Sequence, residues 1–294
     1  MGNSVSQSEQ FKSKLIEVLK FCITFFDKHN LRWFIACGSA IGAIRHKGII
    51  PWDDDIDIYM PRSDYKKLMT LNSELLEEGY RFLCFEKDDG YPLAFGKVMD
   101  NHTTLWSKRR FPFNYGIYVD IFPLDLVNLG MMPFGNRWMK YRNLLLKYRA
   151  KVAEISISGF LEDFRAGKND FLRTFAAKLS LVFTSKEKIK KELISIQENI
   201  SSDTGDRYVS LTEIGMYMFP RKWFDEYVIV PFEDTYVRVS KYYDEYLTYI
   251  YGDYMTPPPP EKRKGEGPHD KLYINFERNV PLKEVKKLIR TKSK

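Results

Sequence analysis

Apolar residues recur at spacings of three and four between residues 10 and 28, at Phe11, Leu15, Val18, Cys22 and Phe26. That spacing predicts an amphipathic helix, with Asn30 as its C-terminal cap. Residues 31–37 (L-R-W-F-I-A-C) are a mostly apolar run of strand length, and Gly38-Ser39 follows as a turn. A short helix is expected over 40–45, stopped by Pro51-Trp52. Then the period changes to two. Asp55 and Asp57 alternate with Ile56 and Ile58, so a strand here puts both carboxylates on one face and both isoleucines on the other. Pro61 ends this strand, and Ser63 caps a helix carrying Tyr65, Leu68, Met69, Leu75 and Leu76. Residues 80–86 and 93–99 form strand-like runs joined through Asp88-Asp89-Gly90, and 103–106 a third short one. Residues 116–122 (G-I-Y-V-D-I-F) make a strongly apolar strand interrupted by Asp120.

Beyond residue 136 the pattern becomes helical. Trp138, Tyr141, Leu144, Leu145, Tyr148 and Val152 form a stripe suited to core packing, and further helices are expected over 170–183 and 186–199. A loop follows over 201–207, then a mixed aromatic stretch over 208–231 and a strand over 236–239. A Tyr-rich helix capped by Ser240 ends at Gly252. The run 257–260 is four prolines and breaks regular structure, and an amphipathic helix over 281–290 closes the chain. The boundaries this suggests are a core over 9–130, a helical block over 131–200, and a C-terminal part over 201–294 that completes the fold.

Charge sharpens that division. Residues 131–200 hold 14 Lys/Arg against 7 Asp/Glu, while the rest of the chain is balanced, so the whole net charge of +7 sits in the middle block. Two readings stand for it. One is a solvated helical face; the other is a surface for anionic lipid head groups or lipid-linked phosphates. The block carries no nucleic-acid motif. The three cysteines, Cys22, Cys37 and Cys84, are odd in number and form no CxxC or Cys/His cluster, which disfavours a disulfide framework or zinc site and fits a reducing, cytoplasmic setting. No run is long enough for a membrane span. The opening M-G-N-S-V-S matches the short N-myristoylation pattern, which arises easily by chance.

The candidate chemistry lies in residues 36–60. Asp53, Asp54, Asp55 and Asp57 crowd one short segment beneath the Gly38-Ser39 turn. Carboxylates so close repel one another unless a cation or solvent relieves them, and two side by side on a strand suit a divalent cation carrying a phosphate. A helix beginning at Gly38-Ser39 would offer free backbone N–H groups to that phosphate. Asp120, costly to bury alone, finds its simplest partner in the same cation. Asp53 and Asp54 serve either to cap a turn or to bind outer water, and Asp125 is assigned a structural part. His46 is divided evenly between a surface hydrogen bond and a phosphate contact, and Lys97 between structure and charge compensation. His269, in a Pro/Gly-rich segment, is read as structural or disordered, with a substrate contact as the alternative. G-S-A-I-G is not the G-x-S-x-G elbow, so serine nucleophile chemistry is disfavoured.

The run G-S-A-I-G-A-I-R-H-K-G-I-I-P-W-D-D-D-I-D-I-Y-M-P-R-S-D-Y resembles the signature of the LicD family, which falls in the nucleotidyltransferase superfamily resembling DNA polymerase beta and includes the fukutin-type proteins. The runs G-I-Y-V-D-I-F-P-L-D and Y-G-D-Y-M-T-P-P-P-P-E-K-R extend the likeness over about residues 31 to 269. The resemblance implies an α+β fold: a nucleotidyltransferase-like mixed β-sheet flanked by helices, here with the basic helical block inserted. It implies catalytic and metal-holding roles for Asp55, Asp57 and Asp120, and substrate contacts from Gly38 and Ser39. Arg45, His46 and Lys97 are further candidates for phosphate. The implied cofactor is Mg²⁺, with Mn²⁺ as a substitute. The implied reaction moves phosphocholine or a similar group from CDP-choline or another CDP-linked donor to a sugar of teichoic acid or lipopolysaccharide, releasing CMP. The acceptor would be lipid-linked and met at the inner face of the membrane, with the basic block as a peripheral contact. The alternatives are transfer of a nucleoside monophosphate to a sugar or small molecule, and a non-catalytic glycan-binding protein.

Overall fold

In the computed structural model, a mixed five-strand path, β1-β2-β6-β4-β3, holds the centre of the chain. The structure describes residues 6–107, 111, 113–128, 134–155, 160–161, 164, 170–200, 204–212, 217–263 and 273–292. His269 and the opening M-G-N-S-V lie outside them. Helix α1 (Gln7–Lys28) starts at a Ser6–Glu9 capping box, and Asn30 just past its end takes the left-handed conformation. Strand β1 (Phe34–Ile35) leads into α2 (Cys37–Ile41), which continues as a π-helical turn, Gly42–His46. Strand β2 is Asp57–Pro61, followed by α3 (Arg62–Thr70) and α4 (Asn72–Glu77). Then come β3 (Tyr80–Leu83), β4 (Gly96–Asp100), β5 (Thr104–Trp106) and the long β6 (Tyr118–Val127).

Strand β6 is the spine. It pairs parallel with β2 and antiparallel with β4, and its last residues pair with β7 (Arg207–Val209), which carries β8 (Met218–Pro220). Sequence periodicity stopped this strand at 122. The pairing carries it through Pro123 to Val127, because β2 and then β7 supply ladder partners beyond that point. The same register starts β2 at Asp57, so Asp53–Asp55 form its approach rather than its body.

Alternation along β6 separates two acids. Asp120 faces one side of the sheet and Asp125 the other. On the Asp125 side, α3 and α1 cover the sheet. Tyr65 packs edge-on to Phe82, Phe21 stacks on Tyr80, and the wholly buried Asp125 receives two hydrogen bonds from Arg62, each 2.8 Å. On the Asp120 side, Tyr59 of β2 meets Tyr246 of α8 (Tyr243–Tyr251).

The basic block joins this core through two helices. In α5 (Phe134–Val152), Tyr141, Leu144 and Tyr148 are buried as the stripe predicts, and α7 (Lys186–Ile200) adds Ile189 and Leu193. Between them lies α6 (Asp170–Ser180). A hairpin of β9 (Tyr227–Phe232) and β10 (Thr235–Ser240) packs against β1, while β11 (Tyr273–Asn275) pairs with β5 ahead of α9 (Leu282–Lys292). Among the described residues, no helix is long and apolar enough to cross a membrane.

Candidate active site

Three strands bring three charged residues into one row. Asp57 of β2 lies opposite Asp120 of β6, and Lys97 of β4 lies opposite Asp120 from the other side. Partners in register point to the same face, so the two carboxylates and the ammonium share it. The Lys97 Nζ donates to Asp120 Oδ1, and both residues are buried. The sequence expects Asp120 to share a cation with Asp55 and Asp57; the structure adds Lys97 as a partner for it. Burial pushes the Lys97 ammonium down and the Asp120 carboxyl up, to about 6, while their contact opposes both shifts. Charges on Asp57 and Asp55 also favour the Lys97 cation. Its Nζ lies 3.4 Å from the centre of the Tyr118 ring, with Phe95 and Tyr115 within 5.2 and 5.6 Å. Those rings shield the pair from water and stabilise the cation.

The backbone approach to β2 is held on both sides. Ala36 N–H donates to the Asp57 carbonyl at 2.8 Å, and Asp120 N–H donates to the Ile56 carbonyl at 2.9 Å. Ser39, buried at the start of α2, accepts the Asp57 N–H through its hydroxyl at 3.0 Å. Its side chain therefore positions the acidic strand, a role distinct from the backbone cradle expected of Gly38-Ser39. Immediately before it, Cys37 adopts a positive φ of 51° and gives its N–H to the Tyr246 hydroxyl at 3.0 Å. Such strain in a non-glycine residue persists only where its surroundings enforce it.

A second grouping lies just upstream. Ligand oxygens of Asp53, Asp54 and Asp55 come within 4.8 Å of one another. Asp55 belongs to both groups, since its charge also raises the Asp120 carboxyl. Burial first, then the Asp55 charge and a hydrogen bond to the Asp55 side chain, push the Asp53 carboxyl up to about 7. A Cβ on Gly38 would stand 2.9 Å from Asp53 Oδ2, so glycine lets α2 pass close to this carboxylate without displacing it.

Asp53 gives a pH dependence of fixed sign. Its folded value lies above the unfolded one, so its contribution is fully present below about pH 4 and is lost as pH rises through about 7. In chelator, Asp53→Asn should stabilise the chain relative to wild type at about pH 8, on the order of 2–3 kcal/mol, and far less at about pH 5. Urea unfolding at the two pH values checks this. An unchanged difference would mean that the folded chain does not raise the Asp53 carboxyl.

Arg45 and His46 lie on the π-helical turn, and their contacts are with Tyr254, Trp52 and each other. Arg45 Nη1 donates to the Tyr254 carbonyl, and its Nε donates to His46 Nδ1 at 3.3 Å. Burial and the neighbouring Arg263 charge lower the Arg45 guanidinium; burial and Arg45 lower His46. Arg263 lies over the Trp52 ring at 4.5 Å, and the His46 ring meets Trp52 edge-on at 5.8 Å. Among the described residues, neither Arg45 nor Arg263 has a carboxylate partner. Sequence reasoning passed over Arg263, Trp52 and Tyr118. The available signals were the E-K-R that follows the prolines, the W-D-D-D junction, and the two-residue spacing of Tyr118 from Asp120. A cavity of about 430 Å³ lined by Arg62, Lys66, Glu86 and Gln197 opens elsewhere, by the Arg62–Asp125 pair on the opposite face of the sheet.

Residues 30–155, which hold the acid row, Lys97 and the Arg45–His46 turn, match the family model described as LicD/FKTN/FKRP, nucleotidyltransferase domain. Over that segment the chain is similar to the LicD family. Similarity extends beyond it: over 257 residues the chain is 28% identical to the lipopolysaccharide cholinephosphotransferase LicD of Haemophilus influenzae, covering 85% of this chain and 91% of that relative. It is also 35% identical over 151 residues to the uncharacterized protein RP689 of Rickettsia prowazekii, covering 43% of this chain and 56% of that one. The acid row, Lys97 and the Arg45–His46 turn all lie inside the segment that matches the LicD family model.

Proposed function

We propose that this chain is a phosphotransferase of nucleotidyltransferase-like fold. It moves phosphocholine, or a similar head-group phosphate, from a CDP-linked donor to a sugar hydroxyl of a cell-surface glycan such as lipopolysaccharide or teichoic acid, and releases CMP. The observation that carries this reading is the row of Asp57, Asp120 and Lys97 across three strands, joined by Asp55, inside the segment that matches the LicD family model.

The donor chemistry fits a hard divalent cation, Mg²⁺ or Mn²⁺, because the groups that converge are carboxylates. Burial first, and then the Asp55 charge, raise the Asp53 carboxyl, and a cation there would offset both. Asp55, Asp57 and Asp120 would hold the ion, with Asp53 and Asp54 beside Asp55. When bound, it supplies charge neutralisation and Lewis acidity to a diphosphate. The chain's own residues do the rest. Gly38 and Ser39 present backbone N–H groups at the start of α2 to phosphate oxygens. Arg45 and Arg263, cations without carboxylate partners among the described residues, balance the remaining diphosphate charge. Asp120, held against Lys97 in the acid row, takes the proton of the attacking sugar hydroxyl, directly or through the bound ion. The new O–P bond forms at the distal phosphorus, the bond to the bridging oxygen breaks, and CMP leaves with that electron pair. Positioning and electrostatics supply most of the acceleration.

Incubation with CDP-choline, CDP-ethanolamine, CDP-glycerol and CDP-ribitol, with Mg²⁺ and a glycan acceptor, tests this reading. CMP release from one of the four, dependent on acceptor, is the expected result. Pyrophosphate release from a nucleoside triphosphate, with nucleotide on the acceptor, would instead establish nucleotidyl transfer; consumption of no donor would remove the catalytic reading.

A further inference from the structure

Helix α6 carries two faces of different character. Phe171, Thr174, Ala177 and Lys178 are partly covered, and Leu181 just beyond the helix is buried. The opposite face holds Leu172, Phe175 and Leu179, extended into the next turn by Val182 and Phe183. Spacings of three and four place the first three on one stripe. All five are exposed: Leu179 at 66% and Phe183 at 103% of their reference surface. Phe164, just before the helix, is exposed at 74%. A soluble surface tolerates scattered apolar residues, but a contiguous stripe of large ones marks an interaction site.

The stripe is held outward by the protein itself. Lys151 Nζ at the end of α5 donates to the Leu181 carbonyl at 2.9 Å, and Lys178 Nζ donates back to the Lys151 carbonyl at 3.0 Å. These reciprocal bonds fix the end of α6 to the end of α5 with Leu181 inward. The surroundings are cationic. The block over 131–200 carries the whole excess positive charge of the chain. Arg173 on α6, and Lys188 and Lys191 on α7, are exposed and have no carboxylate partner among the described residues.

We propose that this face of α6 and the turn after it is a docking surface for an anionic lipid bilayer. Large apolar side chains on one helix face with cations around them are what an interfacial helix needs. The apolar face enters the boundary between head groups and acyl chains, and the cations meet lipid phosphates. The charge excess favours this occupant over a second copy of the chain, whose equally basic block would repel it. An interfacial contact of this kind is peripheral and reversible. It stands whether or not the proposed transfer reaction is correct.

Sedimentation of the full chain with vesicles tests it, using phosphatidylcholine alone and phosphatidylcholine mixed with phosphatidylglycerol, at low and high salt. The chain should pellet with the anionic vesicles at low salt, and much less at high salt or with phosphatidylcholine alone. The double variant Leu179→Asp/Phe183→Asp should lose vesicle binding at least ~tenfold. Because both side chains are exposed, its circular dichroism and melting temperature should match wild type. The charge variant Arg173→Glu/Lys188→Glu should weaken binding while leaving the apolar stripe intact. Wild-type protein that stays in the supernatant, or an apolar variant that pellets like wild type, would overturn the proposal. So would a wild-type dimer in sedimentation velocity that Leu179→Asp/Phe183→Asp converts to monomer, since the stripe would then join two copies.

Discussion

Replacing Asp55 by Asn should lower the rate of transfer by at least ~10³-fold while leaving the melting temperature unchanged or raised. The two effects separate because Asp55 is a half-buried member of two crowded acid groups, with Asp53 and Asp54 on one side and Asp120 with Lys97 on the other. In the metal-free chain its charge is a repulsive term for Asp53 and Asp120, so neutralising it relieves the fold. In the proposed reaction that same charge would help to hold the cation that binds the donor phosphates, so neutralising it would remove stabilisation at the reacting centre. A conservative amide keeps the side-chain shape, which rules out loss of packing as the cause. Steady-state kinetics with a melting curve on the same preparation checks both halves. Retention of a tenth or more of the activity would exclude Asp55 from the site. A large loss of stability alongside the lost activity would make its role structural.

Replacing Arg62 by Ala should have the opposite profile, with a stability loss of about 3–5 kcal/mol. Arg62 lies under the sheet, on the face away from the acid row. It gives Nε and Nη2 to the two oxygens of Asp125 at 2.8 Å each and Nη1 to Glu86 at 3.2 Å, and its guanidinium lies 5.3 Å from the Tyr65 ring centre. Asp125 is wholly buried, and truncation would strip it of its bidentate partner. A loss of that size is a large fraction of the stability of a typical domain, so the single variant should be largely unfolded or insoluble at 37 °C. Removing both charges, as Arg62→Met with Asp125→Leu, should recover much of the stability, since well-packed apolar residues replace a buried pair at little cost. Denaturant unfolding of the single and double variants checks this. A double variant no better than Arg62→Ala would place the stabilisation in the contacts to Glu86 and Tyr65.

These two acids show what the sequence could and could not express. Asp55, Asp57 and Asp120 were visible because a carboxylate inside an apolar, alternating run is conspicuous, and period two assigns its face. Asp125 was given a structural part, and its partner Arg62 fills it. The identity of that partner was not visible, because the contact joins positions 63 residues apart across the sheet. Lys97 was visible as a cation inside an apolar strand. Its pairing with Asp120 follows from antiparallel register, which the local pattern does not carry. The same holds for the β11–β5 pair and for the extension of β6, both set by partner strands distant in the chain. The direction in which α6 turns its apolar stripe depends on the lysine-to-carbonyl bonds with α5. Its periodicity alone describes a buried helix equally well.

The central claim is which half of the donor moves. A CDP-choline preparation labelled separately in choline and in cytidine, incubated with the chain, Mg²⁺ and its glycan acceptor, measures this directly. The account predicts choline label on the glycan and cytidine label released as CMP, with both lost in Asp55→Asn. Cytidine label on the glycan, or an equal yield from Asp55→Asn, would contradict it.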